Sequence, residues 1–275
     1  MPEPSGDRRS SVMQLDLSGR HALVCGASQG IGRATAVELA RLGANVTVLA
    51  RSPNTLKLLV DELPRIHPDQ RHRWQSADML DTARLLTAAT DTIAAEPVHI
   101  LINNTGGPPG GSAHNAEAAA FEAAFRQHVL AGQALVQTVL PGMRASGYGR
   151  IVNVISTSVK EPIPGLGVSN TIRAAVAGWA KTLAGELAAD GITVNNVLPG
   201  YTRTARLDGL LQAQSASTGR SREELERGML ATVPAGRFGD AEEVASVIAF
   251  LCTPAAAYVN GVSIAVDGGR TRALA

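Results

Sequence analysis

Three glycines and one cation frame the first chemistry legible in the sequence. The run Cys25-Gly26-Ala27-Ser28-Gln29-Gly30-Ile31-Gly32-Arg33 follows an apolar stretch, HALVC, and opens a helical one. Glycines at 26, 30 and 32 permit a tight turn, let a pyrophosphate approach main-chain N–H groups, and let helix and strand pack closely. The helix start adds partial positive charge. The spacing is G-x-x-x-G-x-G rather than G-x-G-x-x-G, which an ordinary structural turn can also use; its place between a strand and an amphipathic helix favours a nucleotide. About 20 residues further on, dinucleotide folds hold the ribose 2′-hydroxyl with an acid or accommodate a 2′-phosphate with an arginine. Here that position reads Leu49-Ala50-Arg51-Ser52, with no carboxylate and one fixed cation, and Arg33 offers a second. NADP(H) is therefore expected over NAD(H), the alternative for Arg51 being a solvated loop charge.

The elements that must position these groups alternate along the chain. Strand-like runs fall at His21–Cys25, Asn45–Ala50, Val98–Asn103, Gly149–Ser156, Ile192–Leu198 and Val262–Val266, several apolar almost throughout. Between them lie helical patterns at Gly30–Leu42, Asn54–Pro64, Asp81–Ala94, Ala116–Ser146, Leu166–Ala189 and Ala241–Cys252. Apolar strands alternating with helices predict an α/β, Rossmann-type doubly wound parallel sheet with helices on both faces. Residues 1–15 read as a flexible tail and 16–275 as one domain.

Composition narrows the class further. Of 275 residues 45% are hydrophobic, and 25 Lys+Arg nearly balance 24 Asp+Glu. That balance argues against nucleic acid or an anionic membrane as partner. Two cysteines support neither a disulfide framework nor a cysteine-based zinc site, so no metal is expected. No apolar run reaches the roughly 18 residues of a membrane span, and the polar start is unlike a signal peptide. A cytoplasmic protein is expected. Tyrosine occurs three times, and lysine three times beside 22 arginines.

Gly26-x-x-x-Gly30-Ile31-Gly32, Asn103-Asn104-Thr105-Gly106, Asn196-Val197-Leu198-Pro199-Gly200, Arg237-Phe238-Gly239-Asp240 and Val266-Asp267-Gly268-Gly269 occur in that order. Together they resemble the short-chain dehydrogenase/reductase family over residues 16–270, most closely the branch containing 3-oxoacyl-carrier-protein reductases. The resemblance implies that Gly26, Ser28, Gln29 and Ile31 line the pyrophosphate turn. Asp78 and Met79, after a third strand, would sit on the adenine. Asn104, Thr105 and Gly106 would lie beside the riboses, and Pro199, Gly200, Thr202 and Thr204 would border the nicotinamide and its phosphate. Thr105 stands where alanine is usual and Cys25 where threonine is.

Members of that family usually carry an Asn, Ser, Tyr, Lys tetrad. Counting from Gly149-Arg150-Ile151-Val152-Asn153-Val154-Ile155 places the serine at Ser156. The tyrosine position then falls on Ser169 and the lysine position on Arg173; counting back puts the asparagine position on His128. No tyrosine lies between Tyr148 and Tyr201, so no shift of register restores the motif. A serine hydroxyl has no accessible pKa near neutrality and is several ångströms shorter than a tyrosine. Arginine binds ribose hydroxyls but cannot pass a proton. The hydride half of the reaction is preserved and the proton half altered.

Three residues are candidates for the missing proton: His128 through water, Tyr201 at the pocket mouth, and Lys160 four residues past Ser156. Each also has a plain structural reading. Arg126 and Arg150 are expected on exposed surfaces. The loop Gly106–Gly111 and a lid over Thr202–Thr232, with a mobile stretch at Gln212–Arg220, would define the substrate. The resemblance also implies a homotetramer or homodimer built on Ala116–Ser146 and Leu166–Ala189, with Ala174, Ala175 and Gly178 permitting close helix approach. Three functions stay open: an NADP(H)-dependent carbonyl–alcohol oxidoreductase with a nonstandard proton source, a catalytically silent NADP(H)-binding sensor or partner platform, and an altered dehydration or isomerisation resting on His128.

Overall fold

Apolar runs too short for helices and flanked by glycine turns assemble side by side. The structure, a computed structural model, describes residues 13–274; the expected tail lies mostly outside them. Seven parallel strands form one sheet in the order β3-β2-β1-β4-β5-β6-β7. They are β1 His21–Cys25, β2 Asn45–Ala50, β3 His72–Ser76, β4 Ile100–Asn103, β5 Gly149–Val154, β6 Ile192–Pro199 and β7 Ser263–Val266. The helices are α1 Gly30–Arg41, α2 Pro53–Glu62, α3 Thr82–Ala95, α4 Ala118–Phe125, α5 Ala131–Ser146, α6 Gly167–Leu187, α7 Ala205–Thr218, α8 Arg222–Leu230 and α9 Ala241–Leu251.

Each face of the sheet buries its own apolar layer. Leu39 of α1, Leu56 of α2 and Ile248 of α9 join Val24, Val46 and Ile102 on one face. Leu85 of α3, Leu135 of α5 and Leu183 of α6 join Leu23, Leu101 and Ile151 on the other. This is the doubly wound architecture expected from the alternating pattern. Chain order reverses between β1 and β4, which opens a crevice at the carboxyl ends of the strands, where such folds bind ligands.

Four details depart from the sequence pattern. Strand β3, HRWQS, carries no apolar run because it is an edge strand, paired only to β2. Strand β5 stops at Val154: Ile155 still donates to Val197 O (2.9 Å), and Ser156 then begins a 3₁₀ turn over Thr157–Val159. The long helix expected over Ala116–Ser146 is interrupted by a π turn, Arg126–Leu130, which carries His128. Such π turns often sit at functional sites. Arg150 is buried rather than exposed, because β5 lies inside the sheet with no solvent-facing side. Its guanidinium covers the Tyr148 ring at 4.0 Å and Nη1 donates to Gly149 O at 2.8 Å. Arg126 is exposed as expected.

Candidate active site

A cavity of about 270 Å³ opens over the carboxyl ends of β1, β4, β5 and β6. The glycine turn forms one wall, and its geometry leaves no room for a side chain at positions 26, 30 and 32. Gly26 and Gly30 have φ of +61° and +55°. A Cβ on Gly26 would meet Asn104 O at 2.6 Å, and one on Gly32 would meet Gly26 O at 2.2 Å. Asn104 spans the crevice from β4, its Nδ2 donating to Cys25 O (3.3 Å) and Gly26 O (3.2 Å). No side chain caps α1 and no acid lies in its first turn, so its N–H groups face the crevice as an anion site. A dinucleotide pyrophosphate fits this cradle.

Gly26, Gln29, Gly30, Ile31, Asn104, Thr105, Gly106, Pro199, Gly200, Thr202 and Thr204 all line the cavity. Ser28 and Gly32 complete the turn behind it. Arg51 and Ser52 are exposed just past β2, with Asp78 and buried Met79 just past β3. Ser76 Oγ donates to Arg51 O (3.0 Å), which holds these two strand ends together beside the crevice rather than inside the cavity. Arg51 makes no ion pair among the described residues, whereas Arg33 is spent on Glu62 of α2.

The chemical end is built by β5 and α6. Ser156 follows β5, and its Oγ accepts from Ser158 N–H (3.1 Å), which fixes the oxygen and leaves its proton free to donate. Ser169 and Arg173, one turn apart on α6, face the same cavity, both buried. Arg173 Nη1 donates to Val154 O (2.9 Å), while its buried Nε has no partner. Burial, and then the charge of Arg206, bring the Arg173 pKa down to about 10.

His128 does not lie on this cavity. It borders a second, much smaller void of about 10 Å³ with Asn103, Thr105 and Arg173, and its Nε2 has no partner. Burial first, and then the Arg173 charge, push its pKa down to about 2 against a hydrogen bond with the Gly106 backbone. The expectation of a group titrating near neutrality is thus corrected: this imidazole stays neutral. Lys160 is half-buried and off the cavity. Tyr201 lines it, with the Arg270 guanidinium 4.9 Å above its ring.

The two substrate loops meet. Arg206, at the start of α7, donates from Nη2 to Pro108 O (2.7 Å) in the Gly106–Gly111 loop. The stretch expected to be a mobile loop is mostly helix, α7 running to Thr218. Leu207 and Leu211 of α7, Leu225 of α8 and Phe238 form a small cluster separate from the sheet layers. Arg206 and Arg270 line the cavity and were not singled out by the sequence. Their only local signal is that each follows a recognisable segment, Thr202–Thr204 and Asp267–Gly269.

The profile of the family described as Enoyl-(Acyl carrier protein) reductase matches residues 26–271. The chain belongs to the short-chain dehydrogenase/reductase family. This short-chain dehydrogenase/reductase is 34% identical over 257 residues to the 3-oxoacyl-[acyl-carrier-protein] reductase FabG of Vibrio cholerae, covering 93% of this chain and 98% of that one. It is 28% identical over 260 residues to the NADPH-dependent reductase BacG of Bacillus subtilis, covering 94% and 100%. Among solved structures, L-sorbose reductase from Gluconobacter frateurii, complexed with NADPH and L-sorbose, superposes with a TM-score of 0.86 at 27% identity, covering 95% and 100%. Among the described residues, no cluster of His, Cys, Asp and Glu could hold a metal ion, and no helix is long and apolar enough to cross a membrane.

Proposed function

We propose that this protein is an NADP(H)-dependent oxidoreductase that interconverts a carbonyl and an alcohol with a nonstandard proton source, because Ser169 and Arg173 stand where the usual tyrosine and lysine would be. One observation carries the reading: Ser156, Ser169 and Arg173 share one cavity with the glycine turn, and among the described residues no histidine, carboxylate, lysine or cysteine lines it. NADP(H), when bound, supplies or accepts the hydride. Gly26, Ser28, Gln29, Gly30, Ile31 and Gly32 hold its pyrophosphate, and Arg51 and Ser52 its 2′-phosphate. Asp78 and Met79 flank the adenine, Asn104, Thr105, Gly106 and Arg173 the riboses, and Pro199, Gly200, Thr202 and Thr204 the nicotinamide end. The similarity to an NADPH-dependent reductase and to an L-sorbose reductase complexed with NADPH supports the phosphorylated cofactor. Ser156 donates to the substrate oxygen, and the Arg173 cation stabilises the negative charge that develops there. Water at the open mouth then delivers the proton.

The test is NADPH oxidation against ketones, aldehydes and 3-oxoacyl thioesters, with the alcohol product measured. One alcohol should form per NADPH consumed. Silence across the panel, broken only when Ser169→Tyr and Arg173→Lys are combined, would establish the silent binder instead.

The cofactor assignment has its own readout. Arg51→Ala should raise the NADPH Kd about tenfold and leave the NADH Kd unchanged, since a charge-assisted phosphate contact is worth about 1.5 kcal/mol. Equal weakening of both, or tighter NADH than NADPH binding by the natural chain, rejects the role.

We further assign residues 16–275 to one dinucleotide-binding domain with 202–232 as its lid, and the assembly to α4–α6 faces in a homotetramer or homodimer. Ala174 and Gly178 on α6 and Phe125 and Leu130 near α4 are exposed, as a helix-on-helix interface needs. A monomeric mass in light scattering would reject that assembly.

A further inference from the structure

Among the described residues three arginines and no acidic residue line the cavity. Arg173, Arg206 and Arg270 are all among its lining residues, no Asp or Glu is, and none of the three makes an ion pair among the described residues. Arginines such as Arg33, Arg203, Arg222 and Arg237 on the surface each hold a carboxylate instead. Like charges gathered at a partly desolvated site repel, and the cost persists unless an anion arrives to offset it.

The guanidiniums converge on the reacting end. A Cβ placed on Gly107 would lie 3.2 Å from Arg206 Nη2 and 3.6 Å from Arg173 Nη2. Arg270 Nη1 stands 3.3 Å from Thr157 Oγ1, next in sequence to Ser156, and its buried Nε has no partner. The cofactor pyrophosphate does not account for Arg206. Its head rests on Pro108 and Gly107, past the ribose segment Asn104–Gly106, whereas the atoms nearest Gly26, Gly30 and Gly32 belong to Asn104, Thr204 and the turn itself. Arg206 is also exposed at the mouth, where an entering molecule meets it.

From this geometry we infer that the substrate is an anionic carbonyl compound, whose carboxylate or phosphate is held by Arg206 with help from Arg270 while its carbonyl reaches Ser156. A planar guanidinium offers paired N–H donors that match two oxygens of either anion. The inference rests on the reductase reading for its carbonyl, and on the arginines alone for its anion.

Two substrate pairs separate charge from shape: acetoacetate with its methyl ester, and dihydroxyacetone phosphate with dihydroxyacetone. The natural chain should prefer at least one anion over its neutral partner by tenfold or more in kcat/KM. Arg206→Met should cut that preference at least tenfold, and Arg270→Met in the same direction by less. Calorimetric titration of the NADP⁺-saturated protein gives a reading independent of turnover: the preferred anion binds, its neutral partner does not, and Arg206→Met abolishes the heat. Which pair responds identifies the anion. Equal handling of both members in both pairs overturns the inference, as does an Arg206→Met protein that loses NADPH affinity with the preference intact. Anion binding without turnover upholds the anion site and rejects the reductase; turnover of neutral ketones without anion preference does the reverse.

Discussion

Ser156→Ala should lower kcat/KM for the best carbonyl substrate by about 10²–10³-fold, the loss seen when one donor to a developing oxyanion is removed. The expectation follows from how Ser156 is held. Its Oγ sits at the start of a 3₁₀ turn and accepts the Ser158 N–H at 3.1 Å, so the lone pair is engaged and the hydrogen must point elsewhere. The cavity is where a partner for it can be. A usual tetrad has a tyrosine to share this duty. Here Ser169 is one turn from Arg173 on α6 and too short to reach a carbonyl placed for a phenol, so more of the charge stabilisation falls on Ser156. The NADPH Kd should change less than twofold, since Ser156 follows β5 while the pyrophosphate cradle is built after β1. The substitution also removes a turn cap, worth about 1 kcal/mol, so Ser156→Thr is the companion: it keeps the cap and the donor, and should retain most activity. If Ser156→Ala stays within threefold of the natural chain, the hydroxyl is not the oxyanion donor and the chemistry proposed at this cavity fails.

What the sequence disclosed and what it hid divide along physical lines. Fully buried strands such as HALVC and NVTVLA announce themselves because both faces must be apolar. Strand β3 could not, because an edge strand with exposed Trp74 has no such constraint. The glycines at 26, 30 and 32 were legible because positive φ and sub-van der Waals approaches exclude every other residue. Ser156, Ser169 and Arg173 were legible by counting along a shared framework, and the fold places them on one cavity. Arg206 and Arg270 were hidden because their meaning lies in contacts across 98 residues, to Pro108, and 113 residues, to Thr157. Arg150 was misread for the same reason: a charged letter implies solvent until the sheet order shows β5 enclosed. The environment of His128 was also unreadable, since its pKa is set by burial and by an arginine on another helix.

Combining Ser169→Tyr with Arg173→Lys should raise the reduction rate at pH 7 by about 10²-fold, the low end of what a positioned general acid contributes. The pH profile, more than the rate, makes this decisive. In the natural chain the one cavity cation with a strongly displaced pKa is Arg173, at about 10. Below that pH the guanidinium is charged and supports the developing alkoxide; above it the charge is lost. Reduction should therefore be flat through neutrality and fall as pH rises through about 10. The introduced phenol starts from an ordinary value near 10 and is lowered by the neighbouring ammonium. As the acid in reduction it must be protonated, so the falling limb should move to lower pH. Arg173→Lys alone should not do this, since it supplies no donor in reach, and Ser169→Tyr alone should gain less rate than the pair, because it keeps the fork whose Nη1 is committed to Val154 O. A shift of the limb with the gain in rate means that water carried the proton before and the phenol carries it afterwards. A double variant with unchanged rate and profile, while still binding NADPH, would mean that the natural chain already has a positioned acid, and the water route would be wrong.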